Sequence, residues 1–144
     1  MYIAVMIAAG CFYCAEPTEA AKKDMAALEG EWTMVSAERN GEAVPEEQAK
    51  TAKRVSKAGE TTVSFGEMVF MKAKFSVDPS KKPKAIDYEF TEGQNAGKKA
   101  LGIYEIDGDT VKFCFAGPDQ ERPTDFTAKA DSNRVLSVWK KAKK

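Results

Sequence analysis

Not one of the 144 residues is a histidine. That absence removes Ser-His-Asp and Cys-His catalysis together with histidine-ligated zinc and haem, because each requires an imidazole near neutral pH. Net charge is lacking too: 22 Lys and Arg offset 22 Asp and Glu. No overall field draws the chain to nucleic acid, and Lys140, Lys141, Lys143 and Lys144 read as a solvated tail. Cysteine is scarce, at three residues. Cys11 and Cys14 form a C-x-x-C inside an apolar leader, without the strand and helix that lower a redox thiol's pKa. Cys114 stands alone on a strand, where a structural thiol is expected. No apolar run is long enough to span a bilayer. Met1 to Ala15 is almost wholly apolar but falls short of the roughly 20 residues that a membrane helix needs.

What is present is a β-rich domain. With 43% hydrophobic residues the chain can bury a core without metal or disulfide staples, and its length is that of one domain. Ala85 to Gly117 organises it as three antiparallel strands. Ile86, Tyr88 and Phe90 alternate with Asp87 and Glu89, and Val111, Phe113 and Phe115 alternate with Lys112 and Cys114. Between them Lys99 to Ile106 is β-prone, and Asp107-Gly108 supplies a hairpin turn. Asp107 and Asp109 flank a glycine, but a calcium loop needs six to eight oxygens, so the turn explains them and no metal is expected. No cofactor is expected either.

Upstream, the apolar start is followed by Ala15-Glu16-Pro17, which suggests an export signal, although the first basic residue is Lys22. Ala8-Ala9-Gly10-Cys11 is similar to a bacterial lipoprotein signal. Lipidation at Cys11 and ordinary cleavage both follow from it, each placing the chain outside the cytoplasm, periplasmic or tethered to a membrane. Residues 1–20 are thus assigned to the leader and 21–144 to the folded domain. Ala21, Met25 and Leu28 recur at helical spacing before Gly30. Glu31 to Arg39 reads as the first strand, with Trp32, Met34 and Ser36 on one face and Thr33, Val35 and Ala37 on the other, ended by Asn40-Gly41. Pro45-Glu46-Glu47 opens a short helix whose basic end is Lys50, Lys53 and Arg54. Thr61 to Phe65 and Met68 to Val77 follow, the latter with Val69, Met71, Ala73, Phe75 and Val77 on one face. Asp125 to Lys129 and Arg134 to Lys140 complete about eight strands with few helices. By pattern that is an all-β closed barrel or sandwich.

Five blocks (LEGEWTMVSAERNGEAVP, DPSKKPKAIDYEF, LGIYEIDGDTVKFCFA, ERPTDF and RVLSVWK) together resemble an uncharacterised family of exported domains abundant in planctomycete bacteria, over Leu28 to Lys140. The resemblance implies a lipocalin-like antiparallel barrel of about eight strands. Gly30-Glu31-Trp32 is also similar to the G-x-W of lipocalins. By the same analogy Arg134 stacks on Trp32 as a structural staple across the closing strands.

Three functions follow as expectations. The first is a binding protein whose interior rings, drawn from Phe75, Tyr88, Phe90, Tyr104, Phe113 and Phe115, surround a small apolar or amphipathic molecule, unless those rings simply fill the barrel. Arg122, held before Pro123, is then a rim anchor for a ligand carboxylate or phosphate, or else a surface partner of Glu121 or Asp125. The second is a histidine-independent, esterase-like hydrolase. The third is a structural or partner-binding module of the cell envelope.

Overall fold

Alternating apolar residues on eight strands leave one wet and one dry face, and rolling the sheet until its first and last strands pair buries the dry face without leaving an edge. The computed structural model describes residues 18–92, 95–118 and 120–142, and it has this form. The strands are β1 (Gly30–Arg39), β2 (Glu42–Ala43), β3 (Ala52–Lys57), β4 (Glu60–Phe65), β5 (Met68–Asp78), β6 (Lys84–Glu92), β7 (Lys99–Asp107), β8 (Thr110–Phe115) and β9 (Val135–Lys141). Every neighbour is antiparallel, and β1 pairs with both β3 and β9, closing a lipocalin-like barrel of eight strands to which the two-residue β2 is appended.

Helix α1 (Glu19–Leu28) is capped by the Thr18 hydroxyl, which accepts from the Ala21 amide at 3.1 Å. The domain boundary drawn after residue 20 therefore falls inside α1. This helix lies across one end of the barrel, where Leu28 joins the core cluster and Met25 packs against it. Helix α2 (Glu46–Thr51) begins after Pro45 and has Glu46 and Glu47 in its first turn.

The count of eight is right, but two assignments exchange places. Lys53 and Arg54 do not continue α2; they belong to β3, in which Ala52, Arg54 and Ser56 face inward and Lys53, Val55 and Lys57 outward. Asp125 to Lys129 is not a strand. It lies in a strap, residues 116–118 and 120–134, laid over the outer face of β6, β7 and β8. Pro123 and Ala128 of this strap are buried, and beneath it lie Ala85, Ile103 and Cys114, whose side chains point away from the barrel axis.

Three bulges alter the faces expected from strict alternation. Pairing with β9 skips Val35, so Ala37 turns inward and Ser36 outward. Pairing with β4 skips Phe70, which turns Val69 outward, out of phase with Met71, Ala73, Phe75 and Val77. Pairing with β5 skips Thr91. In the β7–β8 hairpin the pair Asp107↔Thr110 puts Gly108, at φ 61°, first in a two-residue turn, one position later than the expected Asp107-Gly108 turn. Gly102 is required for packing: a Cβ there would stand 2.5 Å from the Phe115 ring.

Candidate functional site

The expected interior rings do converge, and they converge on a residue that periodicity hid. Phe75, Tyr88 and Phe113 line a chamber with Leu28, Trp32, Ile86, Ser56, Thr61 and Arg54, and its free volume is about 10 Å³. That holds a single water-sized occupant. The rest of the interior is filled by Trp139, Tyr104, Val111 and the other core side chains. Phe75 meets Tyr88 edge-on at 6.5 Å, Phe113 stacks on Phe115 at 5.9 Å, and Phe90 meets Tyr88 at 6.2 Å.

Arg54 is 5% exposed. Its Nη1 donates to Thr61 Oγ1 at 3.2 Å and to the Tyr88 hydroxyl, while Ser56 Oγ and Thr61 Oγ1 share a hydrogen bond at 2.8 Å. The guanidinium carbon lies 4.5 Å from the Phe113 ring centre and 4.7 Å from that of Trp139. Burying an ion costs several kcal/mol even after relaxation, and each desolvated aromatic face offsets about 2 kcal/mol of it. No carboxylate among the described residues pairs with Arg54, and its Nε has no acceptor. The arrangement is a set of donors aimed into a small, mostly apolar chamber. The Ser56 and Thr61 hydroxyls contact neither lysine nor carboxylate, so the chamber offers no activated nucleophile of the kind a hydrolase needs.

Tyr104 serves the closed end instead of the chamber. Its hydroxyl donates to Asp24 Oδ2 at 2.6 Å, and Lys84 Nζ reaches the same oxygen at 3.1 Å. Burial, and next the hydrogen bond to Asp24, push the Tyr104 phenol far above its ordinary range. Asp24 and Lys84 were invisible as partners because 60 residues separate them in the chain.

Arg122 is neither a rim anchor nor a partner of Glu121 or Asp125. It pins the strap to the barrel wall: Nη1 donates to the backbone carbonyls of Gly102 at 2.9 Å and Ile86 at 3.2 Å, and Nη2 stands 2.8 Å from Asp87 Oδ1, off the hydrogen-bond direction. Asp87, expected on a solvated outer face, is thus covered in part, whereas Glu89 is exposed. A cleft of about 90 Å³ lies beside Arg122, lined by Ser76, Val77, Asp78, Lys81, Ala85 and Asp87.

Arg134 does not cover Trp32. Antiparallel pairing sets Trp32 against Lys141 and Arg39 against Val135, so Arg134 emerges at the opposite end of the β1–β9 pair. There it meets Asp125 at 3.0 Å. The cation over Trp32 is Lys141, whose Nζ is 5.3 Å from the ring and 3.4 Å from the Ala27 carbonyl at the end of α1. That position also suits the negative pole of the helix. Trp32 itself is fully buried and donates Nε1–H to the Leu28 carbonyl at 3.0 Å. Its cover is Lys141, not the expected Arg134. Cys11, the expected lipidation site, lies outside the described residues.

The other end of the barrel, where α2 runs into β3 and the Thr51 carbonyl accepts from the Gly66 amide at 2.9 Å, carries an exposed apolar rim. Met68, Val69 and Phe70 are 70%, 51% and 50% exposed. Phe70 meets Phe65 edge-on at 5.4 Å, and the Arg39 guanidinium stands 5.9 Å over the Phe70 ring. Neither Met68 nor Phe70 stood out in the sequence, because a bulge, not a run of residues, carries them to the rim.

No family model, no curated protein and no solved structure matches the chain.

Proposed function

We propose that this protein is an exported lipocalin-like binding domain that holds a small apolar or anionic amphipathic molecule at the mouth of the barrel and not in its interior. The observation that carries this is the exposed apolar rim of Met68 and Phe70, continuous with Phe65 and accompanied by Arg39. Exposed side chains of this size mark a contact surface, and a cation among them suits a ligand with one anionic end. Interior capture of the lipocalin kind requires roughly 300 Å³ or more, against the 10 Å³ found here. Export, with Cys11 either lipidated or removed with the leader, belongs to the same proposal, as does kinship with the planctomycete-type domains. The apolar start and the five sequence blocks support these two parts.

The test is a fluorescence titration with 1-anilinonaphthalene-8-sulfonate and with a medium-chain fatty acid as competitor, on the wild type and on Met68→Ser/Phe70→Ser. We expect saturable binding that competes with the fatty acid and weakens by about tenfold or more in the variant, the effect of about 1.4 kcal/mol of lost apolar contact. Equal binding by a variant that keeps the native circular dichroism would overturn the mouth as the site.

A second reading is a partner-binding module of the cell envelope, favoured by the filled interior. It predicts no small-molecule binding at all, and loss of a copurifying partner on the same two substitutions.

A further inference from the structure

The chamber around Arg54 lies inside the closed half of the barrel, apart from the mouth, and the proposed function leaves it unused. The polar groups that line it have protons left to give. Arg54 Nε–H has no acceptor, and the Tyr88 hydroxyl has its proton left to give after accepting from Arg54. Ser56 and Thr61 share one hydrogen bond between two hydroxyl protons, so one proton is left to give. The charge is equally one-sided. Asp24, the buried carboxylate among the described residues, is engaged by Tyr104 and Lys84, and Glu31, the nearest acid on β1, faces outward to Lys53. Arginine cannot relieve the imbalance by losing its proton.

We infer that the chamber is a buried site for one monoatomic anion of the chloride class, held by Arg54 with Tyr88 and the Ser56–Thr61 hydroxyl pair. A fixed positive charge with no carboxylate partner, beside donors with protons to give, favours an anion over neutral water. The size of the chamber, about 10 Å³ of free volume, excludes sulfate, phosphate and a ligand carboxylate with its chain, while a halide, somewhat larger than water, enters if the lining side chains ease outward slightly. The walls of Trp32, Phe75, Ile86 and Phe113 keep bulk water from screening the pair.

The experiment is thermal unfolding of the full chain in sodium chloride and in sodium sulfate at matched ionic strength, paired with bromide soaking of crystals and location of bromide by its anomalous signal. We expect a saturable rise in Tm of several degrees with chloride, as for a ligand that binds only the folded state. Sulfate should give only the gradual, unsaturating rise of an excluded salt. A bromide peak should lie within contact distance of Arg54 Nε. Arg54→Met should abolish the saturable rise, and Tyr88→Phe should weaken chloride binding several-fold while leaving the site in place. Chloride and sulfate acting alike, or a water without bromide at Nε, would each overturn the inference. Should Arg54→Met fail to fold, bromide occupancy in the wild type still decides the matter.

Discussion

At the closed end of the barrel, α1 brings Asp24 to within 2.6 Å of Tyr104 and 3.1 Å of Lys84, Trp32 hands its indole proton to Leu28, and Lys141 covers the ring. At the mouth, the bulged hairpin of β4 and β5 leaves Met68, Val69 and Phe70 in solvent, with one aromatic contact and one cation beside Phe70. Both ends are built by the same antiparallel strands. They differ in how far they are covered: at the closed end α1 sets Asp24 against Tyr104 and Lys84, whereas at the mouth the shorter α2 buries Ala49 but leaves Met68, Val69 and Phe70 exposed. On the proposed function the difference divides stability from recognition, since a buried, hydrogen-bonded end resists change while an exposed apolar end costs little to alter.

This division can be broken most sharply at Trp32. Trp32→Ala should destabilise the fold by about 3–5 kcal/mol, read from urea unfolding, because it empties a fully buried indole's volume beside α1. A loss no larger than that of a surface substitution would show that α1 does not hold the closed end.

Next in size is Asp24→Ala, which strands the Tyr104 hydroxyl and should cost about 1–3 kcal/mol. The same group has a sign that pH can test. A phenol whose folded pKa is raised contributes stability that is fully present below its unfolded value near 10 and is lost as pH rises beyond it. Tyrosinate absorbance from Tyr104 should therefore appear only together with alkaline unfolding, and a Tyr104→Phe variant should remove that part of the alkaline loss.

Arg122→Ala should release the strap at a cost of about 1 kcal/mol, since a part-exposed guanidinium bound to two carbonyls lies between a surface pair and a buried one. The informative readout is Cys114. Burial pushes its thiol up, and in the wild type Ellman's reagent should reach it slowly. In Arg122→Ala the reaction should quicken several-fold with the barrel still folded. An unchanged rate would mean that Pro123 and Ala128 hold the strap without the arginine.

The smallest effect should come from the mouth. Phe70→Ser is expected to change stability by no more than about 0.5 kcal/mol, because half of the ring is already in water. A loss as large as that of Trp32→Ala would erase the contrast between the two ends.

The all-β class and the inward aromatics of β6 and β8 were legible because period-2 alternation reports burial on one face directly, as in Ile86-Asp87-Tyr88-Glu89-Phe90, while the choice of barrel over sandwich rested on the resemblance. The site was much less so. β3 carries Ala, Arg and Ser on its inner face and Lys, Val and Lys on its outer one, the reverse of the usual polarity, so Arg54 read as the basic end of α2. Its place inside follows only from pairing with Trp32 on one side and Val63 on the other.

By itself, then, the sequence determined an all-β fold, a helix before its first strand and the absence of imidazole chemistry, because each depends on composition or on residues close together in the chain. The tertiary structure alone decided which cation covers Trp32, what Arg122 holds, how little room the interior keeps and where Phe70 points. Each of these turns on strand register, and a single bulged residue moves every side chain beyond it to the other face.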